Sequence, residues 1–162
     1  MVALQALCIL EAVGDDFRAQ LNDFLRDPVT WVDLGFEKPP AVEHLQFARR
    51  LVLGAWEQRD VLDRRLSAAA AHWSLSRMTP VDRNVLRLGL HELLECPETP
   101  PQVIINEAIE LARRFGDADS PAFVNGVLDA IYREIAAETG GGPLPDPPER
   151  PPQSREGSDG AF

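Results

Sequence analysis

The fold is decided by three consecutive segments, TPVDRNVLRLGLHELLE (79–95), PPQVIINEAIELARRFGDADS (100–120) and PAFVNGVLDAIYREI (121–135). Each segment carries apolar residues at helical spacing behind a helix-start signal. Thr79 and Ser120 can accept the free amides of a first turn, and the proline that follows each of them suits the first helical position. The three segments therefore predict three amphipathic helices in succession.

Apolar stripes define the buried face of each predicted helix. They contain Val85, Leu86, Gly89, Leu90, Leu93 and Leu94 in the first helix, Ile104 or Ile105 with Ala108, Leu111, Ala112 and Phe115 in the second, and Phe123, Val124, Val127, Leu128, Ile131 and Ile135 in the third. Gly116 stands where a C-terminal cap is expected. Gly126 lies inside the third helix, where a glycine costs about 1 kcal/mol relative to alanine. A close approach by another helix or by a ligand would explain it.

The first half of the chain predicts further helices. Their stripes are Leu4, Leu7 and Cys8, then Phe17, Leu21, Phe24 and Leu25, then Leu45, Ala48, Leu51, Val52, Ala55 and Trp56, then Leu62 and Leu66. Asp27 and Pro28 break the second helix, a loop spans residues 33–40, and residues 73–78 connect the two halves. Strand signals are scarce. We predict an all-α helical bundle of two subdomains, at about 1–71 and 79–138, that share one interface.

Composition changes after residue 138, where three consecutive glycines precede a proline-rich run without apolar periodicity. Such a segment buries too little apolar surface to offset the entropy lost on ordering. Residues 139–162 are therefore predicted to be a disordered tail. It is either a solubilising extension or a proline-rich ligand for a partner's groove.

The segments DRNVLRLGLHELL, VIINEAIELARRFGDADS and FVNGVLDAI resemble the C-terminal half of the NusB family almost position for position, and ALQAL at residues 3–7 is similar to the family's first helix. The resemblance covers roughly residues 2–135. It implies a NusB-like fold and a role in transcription antitermination and its regulation. Such factors bind boxA RNA of ribosomal RNA operons with NusE, a small-subunit ribosomal protein, in the RNA polymerase antitermination complex.

The RNA-binding candidates are Phe115, Asp119, Ser120, Phe123 and Asn125, which lie in or beside the F-G-x-x-D-S turn of the resembling stretch. Single-stranded RNA is held by exposed aromatic rings and by groups that bind phosphate. The two phenylalanines are either base platforms or core residues. Amides near Ser120 could take a phosphate, and Asp119 either caps the helix or accepts a hydrogen bond from a base edge. Asn125, like Asn106, is otherwise a buried hydrogen-bonding residue between helices.

The partner-binding candidates are Asp82, Arg83 and Arg87, at the start of the first of the three helices. Their spacing brings the side chains together on one turn, where we expect them to present a charged edge. The resemblance implies that this region borders the NusE contact. Asp82 also fits the pattern of a capping-box carboxylate.

Other function classes lack support in the sequence. His44, His72 and His91 form no triad or metal-ligand spacing, and we expect His91 and Glu92 to form a surface pair. We predict no enzyme activity, no catalytic residue, no metal site and no cofactor. Two cysteines, without a disulfide framework, favour a reducing cytoplasm, and no stretch has the length and apolarity of a membrane span.

Charge favours one alternative. The chain has 26 acidic and 16 basic residues, a formal net charge of −10, so its long-range attraction for RNA is expected to be poor. The alternative function is a protein-interaction module that keeps the ribosomal-protein contact without binding RNA. Self-association as a homodimer through the apolar helices also stays open.

The start of the sequence departs from the family's pattern. Family members normally carry an arginine-rich, phosphate-binding arm before the ALQAL helix, whereas this sequence begins Met1-Val2-Ala3. The first helix also opens without a capping residue. Either the arm is absent, or the start is misplaced and the natural protein extends upstream of Met1; the uncapped helix favours the second hypothesis.

Overall fold

The computed structural model describes residues 1–70 and 78–139, and the regular structure in these ranges is entirely helical. Its helices are α1 (Val2–Val13), α2 (Leu21–Arg26), α3 (Pro28–Asp33), α4 (Val42–Glu57), α5 (Arg59–Ala69), α6 (Pro80–Glu95), α7 (Pro101–Phe115) and α8 (Ser120–Thr139), and a 3-10 helix at Gly14–Gln20 joins α1 to α2. The all-α prediction is confirmed. Most of the predicted connection between the two halves and nearly all of the predicted tail lie outside the described residues.

Helix α6 is the centre of the fold, because α1, α4, α5, α7 and α8 all pack against it. Residues 84–91 are buried without interruption, although the sequence predicted a single apolar stripe. One hydrophobic cluster includes residues from both halves of the chain. Gly89 lets α8 approach, since a Cβ at this position would lie 2.8 Å from the Leu128 side chain. A helix surrounded on all sides must bury its polar residues as well as its apolar ones.

A proline preceded by a capping residue starts two of the helices. At α6 the Asp82 amide donates to the Thr79 hydroxyl at 3.1 Å, as the sequence predicted. At α3 the Val29 amide donates to the Asp27 carboxylate at 2.9 Å. The prediction that Asp27 and Pro28 end helix α2 is correct. The sequence analysis did not predict α3, the six-residue helix that begins at Pro28.

Helix α3 is held by a buried tryptophan rather than by its own length. Trp31 donates its indole N–H to the carbonyl of Leu25 at 2.9 Å and packs edge to face against Phe36. Isolated helices of this length are unstable in water. Tertiary contacts therefore account for a helix that its short sequence pattern did not reveal.

A charged network crosses the interior between α1, α5 and α6. Arg87 donates Nε and Nη2 to the two carboxylate oxygens of Asp63, both at 2.7 Å, and Nη1 to Glu11 at 2.8 Å. Glu11 also accepts from Arg83 at 2.6 Å and from the Asn84 amide at 2.8 Å. Burial alone would raise the pKa of Glu11, but these hydrogen-bonding arginines hold the pKa below its usual value. The ionised carboxylate therefore links three helices.

His91 is buried, so the prediction of a surface pair with Glu92 is wrong. Its ring lies against Gly54 of α4, where an added Cβ would overlap the imidazole. Burial lowers the pKa of His91 and favours the neutral ring. The close contact between α4 and α6 explains why α4 has a glycine inside a long helix.

None of the helices in the described ranges combines the length and the apolarity needed to cross a membrane.

Replacing Glu11 with glutamine should lower the free energy of unfolding by about 3 kcal/mol at pH 7, because Arg87 stays buried and loses one of its two carboxylates. The matched control is Glu57→Gln, which breaks an exposed pair with Arg18 and should change the stability by less than about 1 kcal/mol. Urea denaturation of the three proteins measures both effects.

The same comparison has an expected pH dependence. Because folding lowers the pKa of Glu11, its stabilisation is complete above the unfolded-state pKa and is lost as pH falls through the folded-state pKa. The difference in free energy of unfolding between wild type and Glu11→Gln should therefore become smaller at acidic pH. If Glu11→Gln and Glu57→Gln lost equal amounts of stability at pH 7, the stabilising role of the network would be contradicted.

Candidate nucleic-acid interface

The turn between α7 and α8 is fixed by its own hydrogen bonds. The Asp117 amide donates to the Ser120 hydroxyl at 2.9 Å, and the Ser120 amide donates back to the Asp117 carbonyl at 3.1 Å. Gly116 caps α7 as predicted, and a Cβ at this position would lie 2.6 Å from the Ser120 hydroxyl oxygen. Only glycine fits there without a shift, so the turn sets the direction in which α8 leaves.

The first turn of α8 has fewer free amides than the sequence suggested for a phosphate. The Ser120 amide bonds to Asp117 and the Phe123 amide bonds to the Asp119 carbonyl at 3.1 Å. Pro121 has no amide hydrogen. These three positions therefore offer no free amide to a phosphate.

An open pocket of about 210 Å³ joins the start of α6 to the start of α8. Its lining residues are Met78, Thr79, Asp82, Asp117, Asp119, Ser120 and Phe123. Three of the five RNA-binding candidates thus share one pocket with Asp82, a partner-binding candidate. The two sets are separated along the chain but lie together in the fold.

Three carboxylates and one aromatic ring determine the chemistry of this pocket. Phe123 is half-buried, packs against the hydrophobic core and also lines the pocket. Asp82 is only 8% exposed, and its Oδ1 has no hydrogen-bond partner among the residues that the structure describes. Asp117 and Asp119 add two exposed carboxylates. The pocket suits a flat group that carries hydrogen-bond donors, and it disfavours a phosphate.

Phe115 lies outside the pocket, at the end of α7. Its ring is 38% exposed, so the core alternative is wrong for this residue. The Arg114 guanidinium lies over the ring, 5.3 Å from its centroid. Phe115 is therefore a separate aromatic surface with a cation beside it.

Asn106 and Asn125 are both exposed, so the alternative of buried hydrogen bonds between helices is wrong. Gly126 is exposed as well, and a Cβ added there would point into open space, with no contact within 4 Å. A close helix–helix approach therefore does not explain this glycine in the described part of the chain. The other explanation, approach by a ligand, stays a prediction.

Two of the partner-binding candidates lie inside the fold instead of forming the expected charged edge. The Arg87 side chain is 6% exposed and that of Arg83 is 18% exposed, and both bind Glu11. Only Asp82 lines the pocket. The spacing along the helix correctly placed these residues together, but it could not show that α1 and α5 cover them.

Sequence reasoning missed Asp117 and Arg114. Asp117 belongs to the same turn as Asp119, and its position before the buried Ser120 could have pointed to the pocket. Arg114 precedes an aromatic residue at a helix end, which is a weak signal on its own. Among the described residues no cluster of three or more His, Cys, Asp or Glu side chains could hold a metal ion.

Comparison with known proteins gives a consistent result. The model of the NusB family matches residues 1–133. The transcription antitermination protein NusB of Syntrophus aciditrophicus (strain SB) is 40% identical over 149 residues, which cover 92% of this chain and 86% of that protein.

Solved structures agree with the family match. T. maritima NusB is similar with a TM-score of 0.63 at 35% identity, and the match covers 82% of this chain and 87% of that one. The structure of the antitermination factors NusB and NusE in complex with dsRNA has the same fold, with a TM-score of 0.67 at 23% identity over 82% of this chain and 92% of that chain.

Two glycines give a matched test of the interface geometry. Gly116→Ala should lower the free energy of unfolding by about 1–3 kcal/mol, because the new methyl group overlaps Ser120. Gly126→Ala should raise it by about 0.5–1 kcal/mol, because the methyl group meets nothing and alanine favours the helix. Thermal and urea unfolding measure both, and a stability loss at Gly126 would show that the space beside it is not open.

Proposed function

The chain belongs to the NusB family of transcription antitermination proteins, and on this premise we propose that it binds boxA-type RNA of ribosomal RNA operons together with the ribosomal protein NusE. One observation carries the proposal: the pocket that brings Asp82 beside Asp119, Ser120 and Phe123. The proposed setting is the RNA polymerase antitermination complex in the cytoplasm. The family is not an enzyme family, and the proposed activity is binding.

A base, rather than a phosphate, is the proposed occupant of the pocket. The side chain of Phe123 lines the pocket, and base–aromatic stacking is tolerant of sequence. Asp119 and Asp117 can accept hydrogen bonds from the amino and imino groups of a base edge. Three carboxylates would repel a phosphate at the same place. The backbone of the strand therefore runs outside the pocket while one base points in.

Gly126 extends this surface along α8 by one turn, and Asn125 lies beside Gly126 on a different side of the helix from Phe123. They lie two and three residues beyond Phe123, and both are exposed. The Asn125 amide can donate to and accept from RNA, while the glycine lets the strand approach the helix backbone closely. Such an approach explains a glycine that helix propensity disfavours and that packing does not require.

NusE is the proposed protein partner at the start of α6. A structure of NusB with NusE and dsRNA exists for a protein of the same fold. The Oδ1 of Asp82, which has no hydrogen-bond partner within residues 1–70 and 78–139, is suited to a donor from the partner. Arg83 and Arg87 would act from within, since they hold α6 against α1 through Glu11.

A second candidate function, the protein-interaction module without RNA binding, is favoured by the three carboxylates of the pocket and by the net charge of −10. A cationic side chain of a protein would be attracted to such a pocket without the repulsion that the RNA backbone would experience.

Phe123→Ala should weaken binding of boxA-like single-stranded RNA by about 1–3 kcal/mol, because one base loses its stacking partner. Fluorescence anisotropy with NusE present measures the affinity for the single strand. The affinity for a boxA-like duplex is measured in the same way. Circular dichroism checks the helicity, since Phe123 is half-buried.

Gly126→Ala keeps this test valid if Phe123→Ala loses its fold. The alanine variant should be at least as stable as wild type and still bind the RNA more weakly, because the methyl group obstructs the approach of the strand. Wild-type affinity in both variants would contradict the proposed surface.

Asp82→Asn should weaken NusE binding by about 1.5–3 kcal/mol, because the donor from the partner loses a charged acceptor. Calorimetry with NusE, repeated with and without RNA, measures this effect and separates the two candidate functions. If wild type binds NusE but neither the single-stranded nor the duplex RNA, the protein-interaction module is the function. Unchanged NusE affinity in the variant would remove Asp82 from the partner surface.

A further inference from the structure

Arg114 lies near the end of α7, beside the loop that follows α3. It is exposed, and it forms no ion pair with a carboxylate in residues 1–70 and 78–139. Its Nη2 donates to the carbonyl of Leu34 at 3.3 Å, and its Nη1 contacts the sulfur of Met1. The guanidinium also lies over the ring of Phe115. Its positive charge is therefore held in place but not neutralised by a neighbour.

The adjacent arginine is in the opposite situation. Arg113 is exposed as well, but it pairs with Glu110 one turn earlier on α7. Its charge is already compensated within the helix. Arg113 and Arg114 are adjacent arginines, and among the described residues only Arg113 forms an ion pair with a carboxylate.

The loop after α3 sets the position of the Arg114 guanidinium. Leu34 supplies the accepting carbonyl, and Gly35 follows it with a φ of +84°, a conformation that favours glycine. A Cβ at Gly35 would lie 4.0 Å from Nη2 of Arg114. A long side chain that is already oriented loses less conformational entropy when it binds a ligand.

A guanidinium beside an exposed aromatic ring has the chemistry of a nucleotide site. The ring can stack on a base, while the planar guanidinium can bind a phosphate through two N–H groups. An acidic peptide would use the cation but would have no need of the ring at 38% exposure. The pair therefore fits a single strand of nucleic acid better than it fits a protein.

We propose that Arg114 is an RNA-binding residue whose guanidinium holds a backbone phosphate of the strand while Phe115 stacks on a neighbouring base. This inference rests on the proposed RNA-binding function. It gives the acidic chain a local cation outside the carboxylate-lined pocket, and it divides the interface into a phosphate contact at the end of α7 and a base contact at the start of α8.

The test compares Arg114→Gln with Arg113→Gln in the full chain. Binding of boxA-like single-stranded RNA is measured over a series of salt concentrations with NusE present. Loss of one phosphate contact should reduce the log–log salt slope by about 0.7 in Arg114→Gln. Arg113→Gln should keep the wild-type slope, because the charge that it removes is already paired.

Each outcome decides the inference. Equal slopes in the two variants, or an Arg114→Gln effect on NusE affinity alone, would overturn it and leave the proposed function standing. Absence of RNA binding by wild type would overturn both. If Arg114→Gln loses helicity, Arg114→Met keeps an aliphatic stem and removes the charge together with the N–H donors. A wild-type slope in that variant would likewise overturn the inference.

Discussion

The buried ion pairs of Arg87 are the interaction on which the rest of the structure depends. A guanidinium inside a protein needs carboxylates around it, and here Glu11 comes from α1 and Asp63 from α5. The network therefore ties α1 and α5 to α6 in the observed arrangement. It also reaches the pocket, since Arg83 binds Glu11 and donates to the carbonyl of Met78 at 3.2 Å. The start of α6, which forms one wall of the pocket, is thus fixed from the interior.

Local signals in the sequence predicted the helices whose caps and stripes are strong. Thr79 and Gly116 were identified correctly because a cap depends on only a few neighbouring residues. The burial of Arg87 and His91 was not predictable in this way, because a periodic pattern assigns polar residues to solvent. It has no information about helices that arrive from elsewhere in the chain. Helix α3 was missed for another reason: it is too short to show an apolar period, and Trp31 holds it through contacts with Leu25 and Phe36 nearby in the chain.

The candidate site was predicted in part for the same reason. Asp119, Ser120 and Phe123 follow one another closely, so the turn that holds them could be read from the sequence. The position of Asp82 in their pocket depends on how α6 meets α8, which no local pattern gives. Asn125 and Gly126 were singled out in the sequence, but only the structure showed that both are exposed. Their chemistry was visible in the sequence, but their surroundings were not.

In the proposed complex one base of the RNA enters the pocket between α6 and α8, while the RNA backbone stays outside. Photo-crosslinking of boxA-like RNA that carries 4-thiouridine, followed by mass spectrometry of the linked peptides, tests this placement of the base. Crosslinks to Phe123 and the neighbouring residues of α8 are expected when NusE is present. Crosslinks confined to helices far from this pocket, such as α2 and α4, would rule the placement out.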